Sequence, residues 1–171
     1  MHRRQLGKLA LATAVVACGS PAKSPIAQRR TGMEMSSLGT MTITMGKSVF
    51  MANVPAGTRL VIDFAEVTIA GEKLKAKKAA GSPAGDWLVL GPGDVATLDI
   101  RMLLETHDGA QILMHGMGRT DSAKFSSGAP CWFTPLFETN DARYAWMNKI
   151  QGVARGTASG NVVTFELAAL T

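Results

Sequence analysis

Between Gly85 and Asn148, acids, an arginine and aromatic residues are set into sequence that otherwise reads as apolar β-sheet. The groups are Gly85-Asp86-Trp87, Asp99-Ile100-Arg101, Thr106-His107-Asp108-Gly109-Ala110, Pro135-Leu136-Phe137-Glu138-Thr139 and Arg143-Tyr144-Ala145-Trp146-Met147-Asn148. Such groups cost free energy when buried unless they are paired, so they form either a polar pocket or structural ties. In a pocket, Glu138 or Asp99 is the candidate catalytic base, a partly buried carboxylate that moves protons. Tyr144 or Arg101 would then stabilise an enolate-like oxygen. Trp87, Phe137 and Trp146 would supply apolar walls and Arg101 a bidentate anchor for a carboxylate or phenolate. As structural ties, the same residues read differently. Asp86 is a turn carboxylate beside a core Trp87. Glu138 is an acid at a helix start. Tyr144 ties a helix to the sheet.

The strand holding Asp99 and Arg101 decides between these readings. Asp99, Arg101 and Leu103 share one face, and Leu98, Ile100, Met102 and Leu104 share the other. If the second face fills the core, Asp99 and Arg101 are an outer ion pair worth roughly 0.2–1 kcal/mol. If the first face points inward, the arginine waits in a cavity.

Other chemistry is excluded by spacing. His2, His107 and His115 have no metal-ligand arrangement, and His115 reads as a hydrogen-bonded core group beside Leu113 and Met117. Gly91-Pro92-Gly93 and Gly116-Met117-Gly118 are turn or bulge glycines, since no helix start follows them as a phosphate loop needs. No Gly-x-Ser-x-Gly elbow occurs. The chain thus implies no metal and no cofactor. Lys73, Lys75, Lys77 and Lys78 form the one basic cluster. They are solvent-facing lysines that protect a sheet or, more sharply, a patch for an anionic surface.

The elements that position these groups are strands. Thr40–Met45, Arg59–Thr68, Lys73–Lys77, Trp87–Leu90, Val95–Thr106, Ala110–Met114, Cys131–Phe137, Lys149–Arg155 and Asn161–Leu167 alternate or are rich in β-branched residues. Turn clusters at Gly81–Gly85, Gly91–Gly93, Asp108-Gly109 and Thr157–Gly160 bound them. Thr139 can cap one short helix that carries Tyr144, Trp146 and Met147. Eight or nine short strands at this spacing predict an all-β, antiparallel closed barrel, which leaves no sheet edge to protect.

The chain has 171 residues and a formal charge of +5. Three of its 18 basic residues (Arg3, Arg4, Lys8) precede Cys18 and all 13 acids follow it, which leaves only +2 on the remainder. That balance, with Tyr144 as the single tyrosine, argues against a nucleic-acid partner. The basic start and the short apolar run Leu9–Ala17 read as a signal peptide. Val15-Val16-Ala17-Cys18-Gly19 resembles a bacterial lipobox, which makes Cys18 the lipidated first residue of an exported, periplasm-facing protein. Cleavage of an ordinary export signal nearby is the alternative. Arg3-Arg4 also resembles a twin-arginine signal, and a plain basic region explains the pair as well. The expected organisation is a signal peptide over residues 1–17, lipidated Cys18 and a Pro- and Ser-containing tether over 18–37, and a barrel domain over 38–171. With Cys18 lipidated, Cys131 is left without a disulfide partner.

Taken in order and spacing, the blocks from Gly85-Asp86-Trp87 to Tyr144-Ala145-Trp146-Met147-Asn148 resemble the uncharacterised family catalogued as domain of unknown function 3237. The resemblance covers the chain from near Leu38 to Leu170. It implies an antiparallel, lipocalin-like β-barrel with no established activity. Its recurring polar positions match Asp86, Asp99, Arg101, Asp108, Glu138, Tyr144 and Asn148, which adds Asp86 and Asn148 to the candidate ligand-binding set. Phe64-Ala65-Glu66-Val67-Thr68 and Met114-His115-Gly116-Met117 depart from the family pattern and make a more apolar pocket plausible.

Three functions fit these observations. The first is a lipoprotein whose barrel binds a small apolar or aromatic molecule. The second is a cofactor-independent isomerase or lyase using a pocket carboxylate. The third is a structural or assembly barrel whose outward apolar face contacts a second copy.

Overall fold

A computed structural model describes residues 32–170. The leader, the Cys18 lipidation site and the tether as far as Thr31 lie outside the described residues. Nine strands form: β1 (Met35–Val54), β2 (Gly57–Ala70), β3 (Ala76–Lys78), β4 (Ala84–Leu90), β5 (Val95–Thr106), β6 (Gln111–Asp121), β7 (Cys131–Glu138), β8 (Gln151–Ser159) and β9 (Val162–Leu170). All their pairings are antiparallel. Each strand from β5 to β9 pairs with the next, β9 pairs with β1, and β1 pairs with β2. Between β2 and β5 the place is shared: β3 pairs with one stretch of each and β4 with another. The ring therefore closes, as an all-β barrel whose one stave is split between two short strands.

Alternation drives the closure. β7 is buried at every second residue, with Cys131, Phe133 and Phe137 inward and Trp132, Thr134 and Leu136 outward. In β5, Ala96, Leu98, Ile100, Met102 and Leu104 are all in the core. Burying five apolar side chains rather than one ion pair is the cheaper orientation, because unpaired charge is costly to desolvate. Asp99 and Arg101 consequently lie outside.

Several sequence expectations shift. The first strand is far longer than Thr40–Met45. Beyond Met45 it keeps only β2 as a partner, since β9 stops pairing at Thr44. The Lys73–Lys77 strand reduces to Ala76–Lys78. Its alternation persists, with Leu74 and Ala76 buried and Lys73, Lys75 and Lys77 exposed. Gly116 and Gly118 are not turn residues. They sit within β6, where an added Cβ would collide with the carbonyl oxygens of Thr134 and Trp132 on β7. The expected helix is a 3-10 helix over Ala145–Lys149, and Thr139 does not cap it. The Thr139 hydroxyl instead donates to the Gln111 carbonyl and accepts the Asp141 N–H, while an Asp141 carboxylate oxygen accepts the Arg143 N–H. These side-chain turns occupy the place of the helix's first turn. A second 3-10 helix, Phe125–Ser127, lies between β6 and β7.

Candidate functional site

A cavity opens into the barrel interior near the 3-10 helix that carries Phe125. It has a volume of about 60 Å³ and is lined by Asp86, Leu98, Thr120, Phe125, Cys131 and Phe165, among others. By volume it has room for roughly two water-sized groups, at about 30 Å³ each. Its walls are almost wholly apolar.

Asp86 reaches it because β4 begins at Ala84, which places Ala84, Asp86 and Leu88 on the inward face. The side chain is only 4% exposed. One oxygen, Oδ1, accepts the backbone N–H of Asp99 at 2.8 Å. The carboxylate thus stands in for a ladder partner where the β4–β5 pairing lapses between Asp86 and Val89. Among the described residues no fully buried side-chain oxygen lacks a partner, and the Asp86 carboxyl opens onto the cavity. Burial pushes the Asp86 carboxyl up to about 7, against the lowering effect of the Asp99 N–H and with a further push from the Asp99 charge. Burial likewise pushes the Cys131 thiol up to about 11, so it is a protonated wall group at neutral pH. The Thr120 hydroxyl is engaged, donating to the Pro130 carbonyl at 3.2 Å.

The other candidate residues do not converge on this cavity. Asp99 holds Arg101 on the barrel's outside through Nε at 3.0 Å and Nη2 at 3.1 Å, and the guanidinium lies 5.9 Å over the Trp87 ring. The Asp99 hydrogen bond, and then the Asp99 charge, raises the arginine's pKa above its already high ordinary value. Glu138 is also outside, 3.5 Å from His115 Nε2. Contrary to expectation, His115 is a half-exposed outer residue rather than a core group, because β6 turns Ile112 and Met114 inward. Asp99 and Glu138 therefore lie outside the barrel, where Glu138 lines an open surface groove of about 490 Å³ with Leu113, Thr139 and Asn148.

Tyr144 and Asn148 lie at the barrel end away from the cavity, where they act as ties. The Tyr144 hydroxyl donates to Asp108 Oδ1 at 3.0 Å. The same carboxylate accepts the Thr106 hydroxyl at 2.6 Å and Arg143 Nη1 at 2.8 Å. Asp108 is held below the usual carboxylate range, first by the Thr106 hydroxyl. Arg143 also chelates Asp141, whose pKa it lowers to about 2. Burial, then the bond to Asp108, raises the Tyr144 pKa. Asn148 pairs with the Thr139 backbone through both amide atoms, at 2.9 Å each. Phe137 is core and Trp146 is a partly exposed surface ring. Trp87 sits on the outer face beneath Arg101.

Of the residues singled out by sequence, Asp86 alone lines the cavity. Thr120, Phe125 and Cys131 were not singled out. For Cys131 the signal was present, since alternation with Phe133 and Phe137 turns it inward. For Phe125, in a Ser- and Gly-rich connection, it was not. Among the described residues no cluster of three or more His, Cys, Asp or Glu could hold a metal ion, and no helix is long and apolar enough to cross a membrane.

A closed antiparallel barrel with a small apolar interior and one end tied by an Asp–Tyr–Arg network is the architecture in hand. Residues 33–169 match the family model described as "Protein of unknown function (DUF3237)", and the chain belongs to that family. Solved structures share the fold. A conserved protein of unknown function from Rhodopseudomonas palustris is 18% identical with a TM-score of 0.73, covering 81% of this chain and 98% of its own. A β-barrel-like protein from Acinetobacter baumannii is 22% identical with a TM-score of 0.72, covering 81% and 96%. An enzyme from Penicillium herquei is 18% identical with a TM-score of 0.63, covering 85% and 100%. No match was found among curated proteins.

Proposed function

We propose that this barrel binds a small, largely apolar molecule in the cavity beneath Phe125, with Asp86 as its polar anchor. The observation that carries the reading is a carboxyl, 4% exposed, set in the lining of an otherwise apolar cavity. Burial pushes that carboxyl up to about 7, so near neutrality it can donate as well as accept a hydrogen bond. The cavity is below the size of ordinary ligand pockets. A short aliphatic chain bearing one hydrogen-bonding group is the occupant that fits, since a cavity that takes an aromatic ring is about 150 Å³. Ethanol is a suitable probe. Titrated into protein with labelled methyl groups, it should shift Ile43, Met45, Ile62 and Ile100 at the cavity and leave Met147 at the far end unmoved. Equal shifts at both ends, or none, would reject the reading.

A second reading rests on the same pKa. A carboxyl half-ionised near neutrality is matched to proton transfer, as a cofactor-independent isomerase or lyase needs. Exchange of the methyl protons of acetone in D₂O tests it. Catalysed exchange that rises through pH 7 and disappears in Asp86→Asn supports it, and exchange at the buffer rate removes it.

The leader supports export and a lipid anchor at Cys18. Intact mass of the protein purified from its own host should carry a diacylglycerol and acyl mass on Cys18. A mature chain without that mass would make it a soluble exported barrel.

A further inference from the structure

The outer face of β4 to β7 is unlike a solvated barrel wall. It exposes Met117 by 52%, Trp132 by 54% and Leu136 by 42% on two adjacent strands. Trp87 and Arg101 extend the patch to β4 and β5. Trp, Met and Arg are the types enriched where proteins meet. The face also carries both signs of charge. Arg101 lies opposite His115 and Asp99 opposite Met117, while Glu138 lies opposite Leu113. A patch that holds its own complement is what a two-fold contact requires, because each copy presents the same surface.

We infer that this face docks a second copy of the chain, with Arg101 of each copy set against Glu138 of the other. Two details assign that pair. Arg101 uses Nε and Nη2 on Asp99, which leaves Nη1 outward, and its side chain is 64% exposed. Glu138 is 68% exposed, with only His115 at 3.5 Å. Leu113 and His115 lie between Arg101 and Glu138 on the strand grid and come close to the two-fold axis. An anionic membrane is a poorer occupant, since Asp99 and Glu138 would be repelled. The patch spans about 20 Å by 20 Å from strand spacing and rise. That is roughly half of what a standard interface takes from each partner, so the dimer is a weak one.

Sedimentation velocity of the purified chain, from low micromolar to millimolar concentration, tests the assignment. Wild type should pass from monomer to dimer, and Leu136→Glu should weaken the dimer by about tenfold or more. Arg101→Glu and Glu138→Arg should each be monomeric, and an equimolar mixture of the two should dimerise again. Recovery on mixing cannot come from misfolded chains. A wild-type monomer throughout, or a mixture that stays monomeric, overturns the inference. So does a dimer that survives Leu136→Glu but is lost in Phe50→Lys, since that would place the contact on the unpaired edge of β1.

Discussion

The two ends of the barrel are built on opposite principles. At the Asp108 end, polar groups are dense and all engaged: Thr106, Tyr144 and Arg143 converge on one carboxylate, and Asn148 pairs with the Thr139 backbone. Met147 plugs the core behind them, fully buried. At the cavity end Asp86 is the one carboxyl in the lining, and the cover is the half-buried Phe125 on a three-residue 3-10 helix, whose approach is held by Asp121 through the Ala123 and Lys124 N–H groups and the Lys124 ammonium at 2.8 Å. Hydrogen bonds to charged groups are among the stronger ones. The polarity around Asp108 that reads as catalytic in the sequence therefore serves closure, and the open space lies where apolar side chains line the wall.

That contrast can be broken most severely at Met147. Met147→Ala should cost about 2–5 kcal/mol in urea unfolding, because it leaves a cavity beneath the tied end. A loss below about 1 kcal/mol would show that end to be looser than its bonds suggest. The next effect is at Asp86. Its folded pKa, about 7, lies above the ordinary aspartate value of 3.8. The protein therefore binds more protons than the unfolded chain between those values, and stability falls as pH rises through that window. The full loss is on the order of 4 kcal/mol, from about 1.4 kcal/mol for each pH unit. Asp86→Asn should match wild type near pH 4 and be the more stable protein near pH 8. Parallel pH profiles for the two would contradict the buried carboxyl. Tyr144→Phe should cost about 1 kcal/mol, the usual worth of one hydrogen bond. The smallest effect is expected at Phe125. Phe125→Ala should change global stability little while speeding the reaction of Cys131 with a thiol reagent in a Cys18→Ser background. Unchanged reactivity would mean that the cover does not limit access.

Much of the barrel was legible because apolar alternation is a local property. Val95–Thr106 was readable to the residue, and its inward face followed from five apolar side chains competing with one ion pair. The cavity was less legible at Asp86. Gly81–Gly85 reads as a turn, so the strand seemed to begin at Trp87. In fact Ala84 and Gly85 pair with Met102 and Arg101, which shifts Asp86 from a loop into the inward row. The ties at the far end depend on contacts across long separations, such as Tyr144 with Asp108 and Thr139 with Gln111, which no spacing within one segment encodes. The 3-10 helix was misread for that reason: Thr139 is a good capping residue whose hydroxyl was already committed to Gln111.

The split stave has a consequence of its own. The chain leaves the wall after β3, turns through Gly81 and Pro83, and re-enters the same slot as β4. The register of both neighbours is set by pairings on either side of that excursion, not by its length. Loop closure entropy grows only logarithmically with length. Residues grafted between Ala80 and Pro83 should thus leave the circumference and stagger of the ring intact, which makes this gap a natural port for an inserted peptide or a new pair of chain ends.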